Sequence, residues 1–444
     1  MALMVGVSGI RGIIGETLTP RVAAEFAQAY GTYLAGGRVA LGRDTRPSGE
    51  MFTHAAAAGL LAAGCSVTDL GVVMTPTIGR AITDGGYRGG VMITASHNPS
   101  QWNGLKFLTD RGVAPSPEQA QAIIAICREN RQGAVKEGFL PIIHDLEAGE
   151  RHAAAVLDAV ETPLDALRGM RVVLDSINGA GCLASPAFLT EMNCELVHLN
   201  GEPTGVFAHT PEPIAENLTQ LCQAVKKTKA AVGFAQDPDA DRLALVDENG
   251  RYIGEEYTLA LAVQFVLMRR PGPVAANLST SRMIDVLAAR FGVPVVRTAV
   301  GEANVAGGIV DNGCVIGGEG NGGVIDPRVT LVRDSLSAMS LVLQLIAETG
   351  KTVSQLVADL PRFVILKQKF ECPREKIDAA TQAVAQAFAN EKINRVDGTR
   401  VDFAEGWVHV RASNTEPIVR FIAEAEDDQA ATALISRVRA AAGL

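Results

Sequence analysis

The chain has 444 residues, of which 47% are hydrophobic, 20% charged and 5% aromatic, so its core must be built mainly from Ala, Val, Leu and Ile. At roughly 100–150 residues per domain, that length implies about three or four domains. The formal net charge of -9 argues against a nucleic-acid binder, which carries a basic surplus or stripe.

The seven cysteines, Cys65, Cys127, Cys182, Cys194, Cys222, Cys314 and Cys372, are scattered, odd in number and without a Cys-x-x-Cys pair. They read as buried thiols in a reducing compartment rather than a disulfide framework or zinc site. The first residues, MALMVGVSGIRG, lack a basic region followed by a long apolar stretch. No run of about 18 apolar residues marks a membrane span. The expected setting is cytoplasmic, with neither nucleic acid nor membrane as a partner.

In chain order, short apolar runs at 38–41, 90–94, 171–174, 231–235 and 273–278 predict buried strands, each ending in a Gly, Ser, Asp or Asn cluster. Ala-rich stretches such as 50–63 and 281–291 predict helices between them. This alternation predicts α/β layers with mainly parallel sheets, which bind ligands at the carboxyl ends of their strands. VALGRDTRPSGE, VVLDSINGAG and VAANLSTSRM each read strand, polar loop, helix, as if one α/β unit restarts twice. The last stretch differs. Strands are predicted at 363–370, 399–403 and 407–411, with helices at 374–390 and 427–442, giving a smaller α+β domain. The expected boundaries divide the chain into 1–153, 154–254, 255–366 and 367–444.

Four loops carry chemistry. Thr94-Ala95-Ser96-His97-Asn98-Pro99 follows a predicted strand, which puts Ser96 on a loop. A serine there can carry a phosphoryl group or attack an acyl group, but the Gly-x-Ser-x-Gly frame of the acyl reading is absent. Asp237-Pro238-Asp239-Ala240-Asp241-Arg242 places three carboxylates at alternate positions. In an extended loop they face one way, and oxygen-only ligands suit Mg²⁺ better than zinc or copper. The EF-hand spacing does not fit. Gly317-Gly318-Glu319-Gly320-Asn321-Gly322-Gly323 has five glycines in seven residues. Its open backbone allows close approach, Glu319 and Asn321 can bond sugar hydroxyls, and no P-loop lysine is present. Arg411-Ala412-Ser413-Asn414-Thr415-Glu416-Pro417, with Arg420 after it, supplies the donors a phosphate wants. Taken singly, each loop has a plainer reading: a Ser/Asn cap, an acidic turn, a flexible loop or a polar turn. Ser8-Gly9-Ile10-Arg11-Gly12, Gly42-Arg43-Asp44-Thr45-Arg46 and Lys106 add cations that are either surface charges or neighbours of the serine.

In this order the segments SGIRG, GRDTRPSG, TASHNP, NGLK, DPDADR, GGEGNGG and RASNTEP resemble the α-D-phosphohexomutase family, over essentially the whole chain. The resemblance implies four domains around a central cleft, three similar α/β mixed-sheet domains followed by a smaller α+β C-terminal one, each contributing one loop. It implies that Ser96 carries the phosphoryl group as phosphoserine. Asp237, Asp239 and Asp241 would bind one Mg²⁺ together with a phosphoserine oxygen. Glu319, with Asn321 beside it, would hold sugar hydroxyls, and Arg411, Ser413, Asn414, Thr415 and Arg420 the phosphate that does not react. Arg11 and Lys106 would lie by the reacting oxygen, with His97 and Arg242 beside the serine. The implied reaction interconverts hexose or hexosamine 1- and 6-phosphates through a 1,6-bisphosphate, which also primes the enzyme. Some bacterial relatives carry Ser and His in the sugar loop where Asn321 and Gly323 stand. That leaves Lys106 as candidate general base, a role requiring nearby cations to lower its pKa. A metal-dependent sugar phosphatase and an inactive sugar-phosphate sensor are the alternatives. The expected state is monomer or homodimer.

Overall fold

The computed structural model describes residues 3–7, 9–135, 137–138, 140–412 and 418–444. It divides into two compact units: Met1–Val266 with Asn321–Val357, and Leu267–Gly320 with Ala358–Leu444. Among the described residues, no helix is long and apolar enough to cross a membrane.

The first unit begins with seven strands: β1 (Met4–Gly6), β2 (Gly9–Ile13), β3 (Gly37–Arg43), β4 (Cys65–Val72), β5 (Gly89–Ile93), β6 (Trp102–Thr109) and β7 (Ile143–His144). Their order is β1-β2-β6-β5-β3-β4-β7. β4, β5 and β3 run parallel, whereas β2 and β5 flank β6 antiparallel. The sheet is therefore mixed, with three parallel and three antiparallel pairings, as the resemblance implies. Its central strands β3 and β5 carry continuous apolar runs, at 39–41 and 91–93, because both faces are covered. Val39, Leu41, Val67, Val91, Ile93 and Leu105 are buried together with Phe52 and Leu60 of the helix Gly49–Ala62.

A second mixed sheet follows, of β8 (Arg171–Asp175), β9 (Glu195–Leu199), β10 (Val232–Gln236) and β11 (Leu243–Val246), in the order β11-β10-β8-β9. β8 is parallel to β9 and β10, and β10 returns antiparallel into β11. The acidic segment is the tight connection of that hairpin.

In the second unit, β12 (Val274–Asn277), β13 (Val295–Thr298) and β14 (Ile316–Glu319) run parallel in the order β13-β12-β14. β15 (Gly323–Ile325) belongs to the first unit. Five antiparallel strands complete the second unit: β16 (Val364–Glu371), β17 (Lys392–Asn394), β18 (Thr399–Asp402), β19 (Gly406–Ala412) and β20 (Ile418–Ala425), in the order β16-β20-β19-β18-β17. Val384 of the helix Arg374–Ala387 and Leu434 and Val438 of the helix Asp428–Ala442 share a core with Val410 and Phe421 of this sheet.

The repeated strand-loop-helix unit is real and occurs three times. β3 leads into the helix Gly49–Ala62, β8 into Gly181–Glu191 and β12 into Met283–Arg290, each across a short polar loop. The sequence pattern alone assigns no element to β6, whose Asn103-Gly104 carries no strand signal, or to β20.

One helix start ties the first unit together. Asp334 caps the helix Ser335–Thr349 by accepting from Leu336 N and Ser337 N at 3.0 and 3.1 Å. Its Oδ2 also lies 3.2 Å from His152 Nε2, and His152 Nδ1 lies 3.0 Å from Thr77 Oγ1. Three helices thus meet at one buried carboxylate. Burial opposes its charge, but His152, Ser337 and the capping amide hold its pKa below the ordinary 3.8. The stabilisation is therefore complete above about pH 4 and lost as pH falls through the lowered value. Asp334→Ala should cost about 1–2 kcal/mol at neutral pH. Denaturant titration across pH should find that difference constant down to about pH 4 and shrinking only below it.

Candidate active site

Ser96 lies in the connection from β5 to β6, is fully buried, and sits at φ +51°, in the left-handed region where a non-glycine residue is strained. The loop is held there by Arg46, itself buried. Arg46 Nη2 donates to Ser96 O and Asn98 O, each at 2.7 Å. Its Nη1 donates to Pro99 O at 2.8 Å and Trp102 O at 3.0 Å. Arg46 Nε pairs with Asp44 Oδ2 at 3.1 Å, and that oxygen accepts from Thr94 Oγ1, which in turn accepts from Ser96 N. Far from being a surface charge, Arg46 is the clamp of the serine loop.

Ser96 Oγ donates to Asp237 Oδ2 at 3.1 Å and lies 3.4 Å from His97 Nδ1. Burial first, then Arg242 and Arg11, push the His97 pKa down to about 3, so the ring is neutral at physiological pH. Arg11 projects from β2, and burial lowers its pKa against the pull of Asp239.

Asp237, Asp239 and Asp241 are wholly buried, with one oxygen of each within 4.8 Å of the others. Ala240 between them has φ +53°, and its carbonyl accepts from Ser335 Oγ at 2.7 Å. Lys106 Nζ reaches Asp239 Oδ2 at 2.5 Å and Asp241 Oδ2 at 3.1 Å. Thr75 Oγ1 donates to Asp239 Oδ2 at 2.7 Å, and Arg333 Nη2 to Asp241 Oδ2 at 2.6 Å. Burial and the two neighbouring carboxylates push Asp237 well above the ordinary range. Asp239 and Asp241 are lowered despite burial, Asp239 chiefly through Lys106 and Asp241 through Arg333 and Lys106. Asp239 Oδ1 and Asp241 Oδ1 are buried without a hydrogen-bond partner. Such atoms are costly, and an oxygen-seeking divalent cation satisfies them, so this donor set fits Mg²⁺.

Lys106 departs from expectation. Burial disfavours its ammonium, but Asp239 and Asp241 outweigh burial and raise its pKa. Neighbouring cations do not make it a ready base. Arg242 donates through its backbone N–H to Asp237 Oδ1 at 3.2 Å.

Arg333 and Thr75 carry no local sequence signal. The glycine loop explains how Arg333 gets in: a Cβ at Gly323 would lie 2.2 Å from Arg333 Cδ. The arginine stem fills the space a side chain at 323 would take. Leu243 N donates to Gly322 O at 3.0 Å, so this half of the glycine loop is strapped to β11 rather than flexible.

The remaining expected residues fall in the second unit, apart from Asn321, which belongs to the first. Glu319 is buried at the end of β14, and its Oε1 accepts from Asn277 Nδ2 at 2.8 Å and Gly301 N at 3.1 Å. Arg411 and Arg420 face each other directly across β19 and β20. Ser413, Asn414 and Thr415 lie outside the described residues.

Arg46→Ala would strip four carbonyls of their donor and leave Asp44 buried without its counter-ion. A loss of roughly 3–5 kcal/mol follows. Arg46→Lys should recover little of it, since one ammonium cannot reproduce the planar fork. Urea denaturation of the three proteins measures both.

Comparison with known proteins places the chain in a family. Models of the phosphoglucomutase/phosphomannomutase alpha/beta/alpha domains I, II and III match residues 2–134, 150–250 and 254–363, and the C-terminal domain model matches 368–441. A probable phosphoglucosamine mutase of Methanopyrus kandleri is 41% identical over 433 residues, covering 97% of this chain and 95% of the relative. A phosphoglucomutase/phosphomannomutase of Thermococcus kodakarensis is 38% identical, covering 97% and 96%. A crystal structure of a phosphoglucomutase/phosphomannomutase family protein from Burkholderia thailandensis superposes with a TM-score of 0.87 at 28% identity, covering 98% and 96%. The chain belongs to the phosphoglucomutase/phosphomannomutase family, the α-D-phosphohexomutases.

Proposed function

We propose that this phosphohexomutase interconverts the 1- and 6-phosphates of a hexose or hexosamine through phospho-Ser96. The reading rests on one observation: a strained, buried serine whose Oγ is 3.1 Å from one of three clustered, buried aspartates. Segments 1–153, 154–254, 255–366 and 367–444 carry, in turn, the serine, metal, sugar and phosphate loops. Arg411, Ser413, Asn414, Thr415 and Arg420 hold the phosphate that does not react, and Glu319 and Asn321 the sugar hydroxyls.

Phosphoryl transfer needs positioning and charge neutralisation more than covalent chemistry. In the first half-reaction a sugar hydroxyl oxygen bonds to the phosphorus of phospho-Ser96 as the bond from phosphorus to Oγ breaks. The hydroxyl proton passes to Oγ, and a 1,6-bisphosphate results. The second half-reaction runs the same step backwards from the other phosphate, so a bisphosphate also primes dephospho-enzyme. Asp237, Asp239 and Asp241 would hold one Mg²⁺, which would supply Lewis-acid stabilisation of charge at the serine oxygen. Lys106, kept as an ammonium, and Arg11 add fixed positive charge there. His97, neutral at working pH, lies against Oγ and shapes its surroundings.

The relatives named above divide between phosphoglucosamine mutase and phosphoglucomutase/phosphomannomutase, and the sugar is a matter for measurement. ³¹P NMR of the protein with Mg²⁺, trace glucose 1,6-bisphosphate and glucosamine, mannose or glucose 1-phosphate should show a 6-phosphate growing in. The fastest sugar names the substrate, whereas inorganic phosphate alone favours a phosphatase. Ser96→Ala should abolish the conversion and keep the wild-type circular dichroism spectrum; full activity in that variant overturns the reading. Chelation with EDTA should abolish turnover, and added Mg²⁺ should restore it.

A further inference from the structure

The second unit contains a closed ring of hydrogen bonds that includes the expected sugar residue and lies against an expected phosphate residue. Glu319 Oε1 accepts from Asn277 Nδ2 at 2.8 Å, and Asn277 Oδ1 accepts from Ser279 N at 2.9 Å. Ser279 Oγ lies 2.9 Å from His409 Nδ1, and His409 Nε2 lies 2.5 Å from Asp397 O. Asp397 Oδ2 accepts from Val300 N at 3.1 Å, and the next amide, Gly301 N, returns to Glu319 Oε1 at 3.1 Å.

The direction of each bond in the ring is fixed. A carbonyl oxygen can only accept, so His409 Nε2 carries the proton and Nδ1 accepts from the Ser279 hydroxyl. A singly protonated ring is required, and burial supplies it by holding His409 down to about 4. His409 is wholly buried between the two polar contacts and acts as a strut of fixed length.

Asp397 is where the ring meets the phosphate arginine. The oxygen that takes the Val300 amide is also 3.0 Å from Arg411 Nε, an ion pair without hydrogen-bond geometry. Close approach depends on the next residue, since a Cβ at Gly398 would fall 2.2 Å from Val410 O and 3.1 Å from Arg411 Cβ. Arg411 needs such a tether because Arg420 sits opposite it across the strand pair, and like charges in that register repel.

We propose that Asp397 is a positioning residue that sets Arg411 in register with Glu319, coupling recognition of the phosphate to recognition of the sugar. The inference rests on the phosphate and sugar roles proposed above for Arg411 and Glu319. It adds that the two are not independent: the 300–301 amides and the His409 strut fix their separation. A hexose phosphate then gains from meeting both ends at once, beyond the sum of the two contacts.

Calorimetry on the dephospho full-length protein tests this, with glucose 6-phosphate and inorganic phosphate as probes. Two single variants check the underlying reading. Arg411→Lys should weaken both probes, and Glu319→Gln only the sugar phosphate; any other pattern overturns those roles, and the proposal with them. With both patterns in hand, the glucose 6-phosphate affinity of the double variant should depart from the product of the single losses by at least threefold. In an Asp397→Asn background the two losses should multiply. The amide oxygen can still accept from Val300 N, so the fold keeps its contact while Arg411 loses its charge partner. A merely structural Asp397 would lower the melting temperature and leave the coupling unchanged, which overturns the proposal. So does the absence of coupling in the wild-type background. Ser279→Ala opens the ring on its far side without touching Asp397 and should reduce the same coupling, so an unstable Asp397→Asn protein does not end the test. Undiminished coupling in the Ser279→Ala background overturns the proposal as well.

Discussion

Three carboxylates buried on one six-residue loop are the constraint around which the first unit is organised. Burial of a charge costs several kcal/mol unless it is paired, and Asp237, Asp239 and Asp241 add mutual repulsion to that cost. The chain answers by bringing cations and donors from places remote in sequence. Lys106 comes from β6, Thr75 from the start of the helix Thr75–Gly85, and Arg333 from just before the helix Ser335–Thr349. These contacts run between the first two sheets and that helix, so the electrostatics of the site also tie together parts of the first unit.

The same economy explains the backbone. Ser96 and Ala240 both sit in the left-handed region, one in each loop, at a cost of about 1–3 kcal/mol apiece. Each is over-determined by a hydrogen bond to its own carbonyl, from Arg46 for Ser96 and from Ser335 for Ala240. A glycine would adopt that conformation without strain but would let the loop relax. Holding a real side chain there keeps Oγ aimed at Asp237, which on the proposed mechanism is preorganisation of the kind that lowers a barrier.

The loops themselves were legible in the sequence because their chemistry is local. Alternate aspartates and a serine after an apolar run announce themselves within ten residues, as do the strand-loop-helix restarts. Their partners were not legible. Thr75 and Asp239 are 164 positions apart, and Lys106 and Asp239 133, so no periodicity links them. Arg46 was visible only as one charge in a basic stretch, and nothing short of its environment tells a surface arginine from a buried clamp. The Lys106 pKa is illegible for the same reason. A base role requires nearby cations to lower it, whereas the carboxylates nearest in space raise it. His409 was invisible for a further reason: a lone histidine in an apolar strand reads as core, and its role appears only when Ser279 and Asp397 close on either side.

Arg411 and Arg420 are register partners across β19 and β20. In an antiparallel pair, directly opposite residues share a face with their Cβ atoms about 5 Å apart, and β16 places Lys369 next in the same row, opposite Arg420. Asp397 offsets part of the repulsion in this row, its carboxylate lying 3.0 Å from Arg411 Nε. On the proposal that the row holds the phosphate that does not react, each guanidinium can give a charge-assisted pair of donors to the same anion. Such a site would favour a doubly charged phosphate over a neutral sugar end without reading which carbon bears it, as the proposed interconversion of 1- and 6-phosphates needs. Discrimination among sugars would then fall to the residues that hold the ring, not to this sheet.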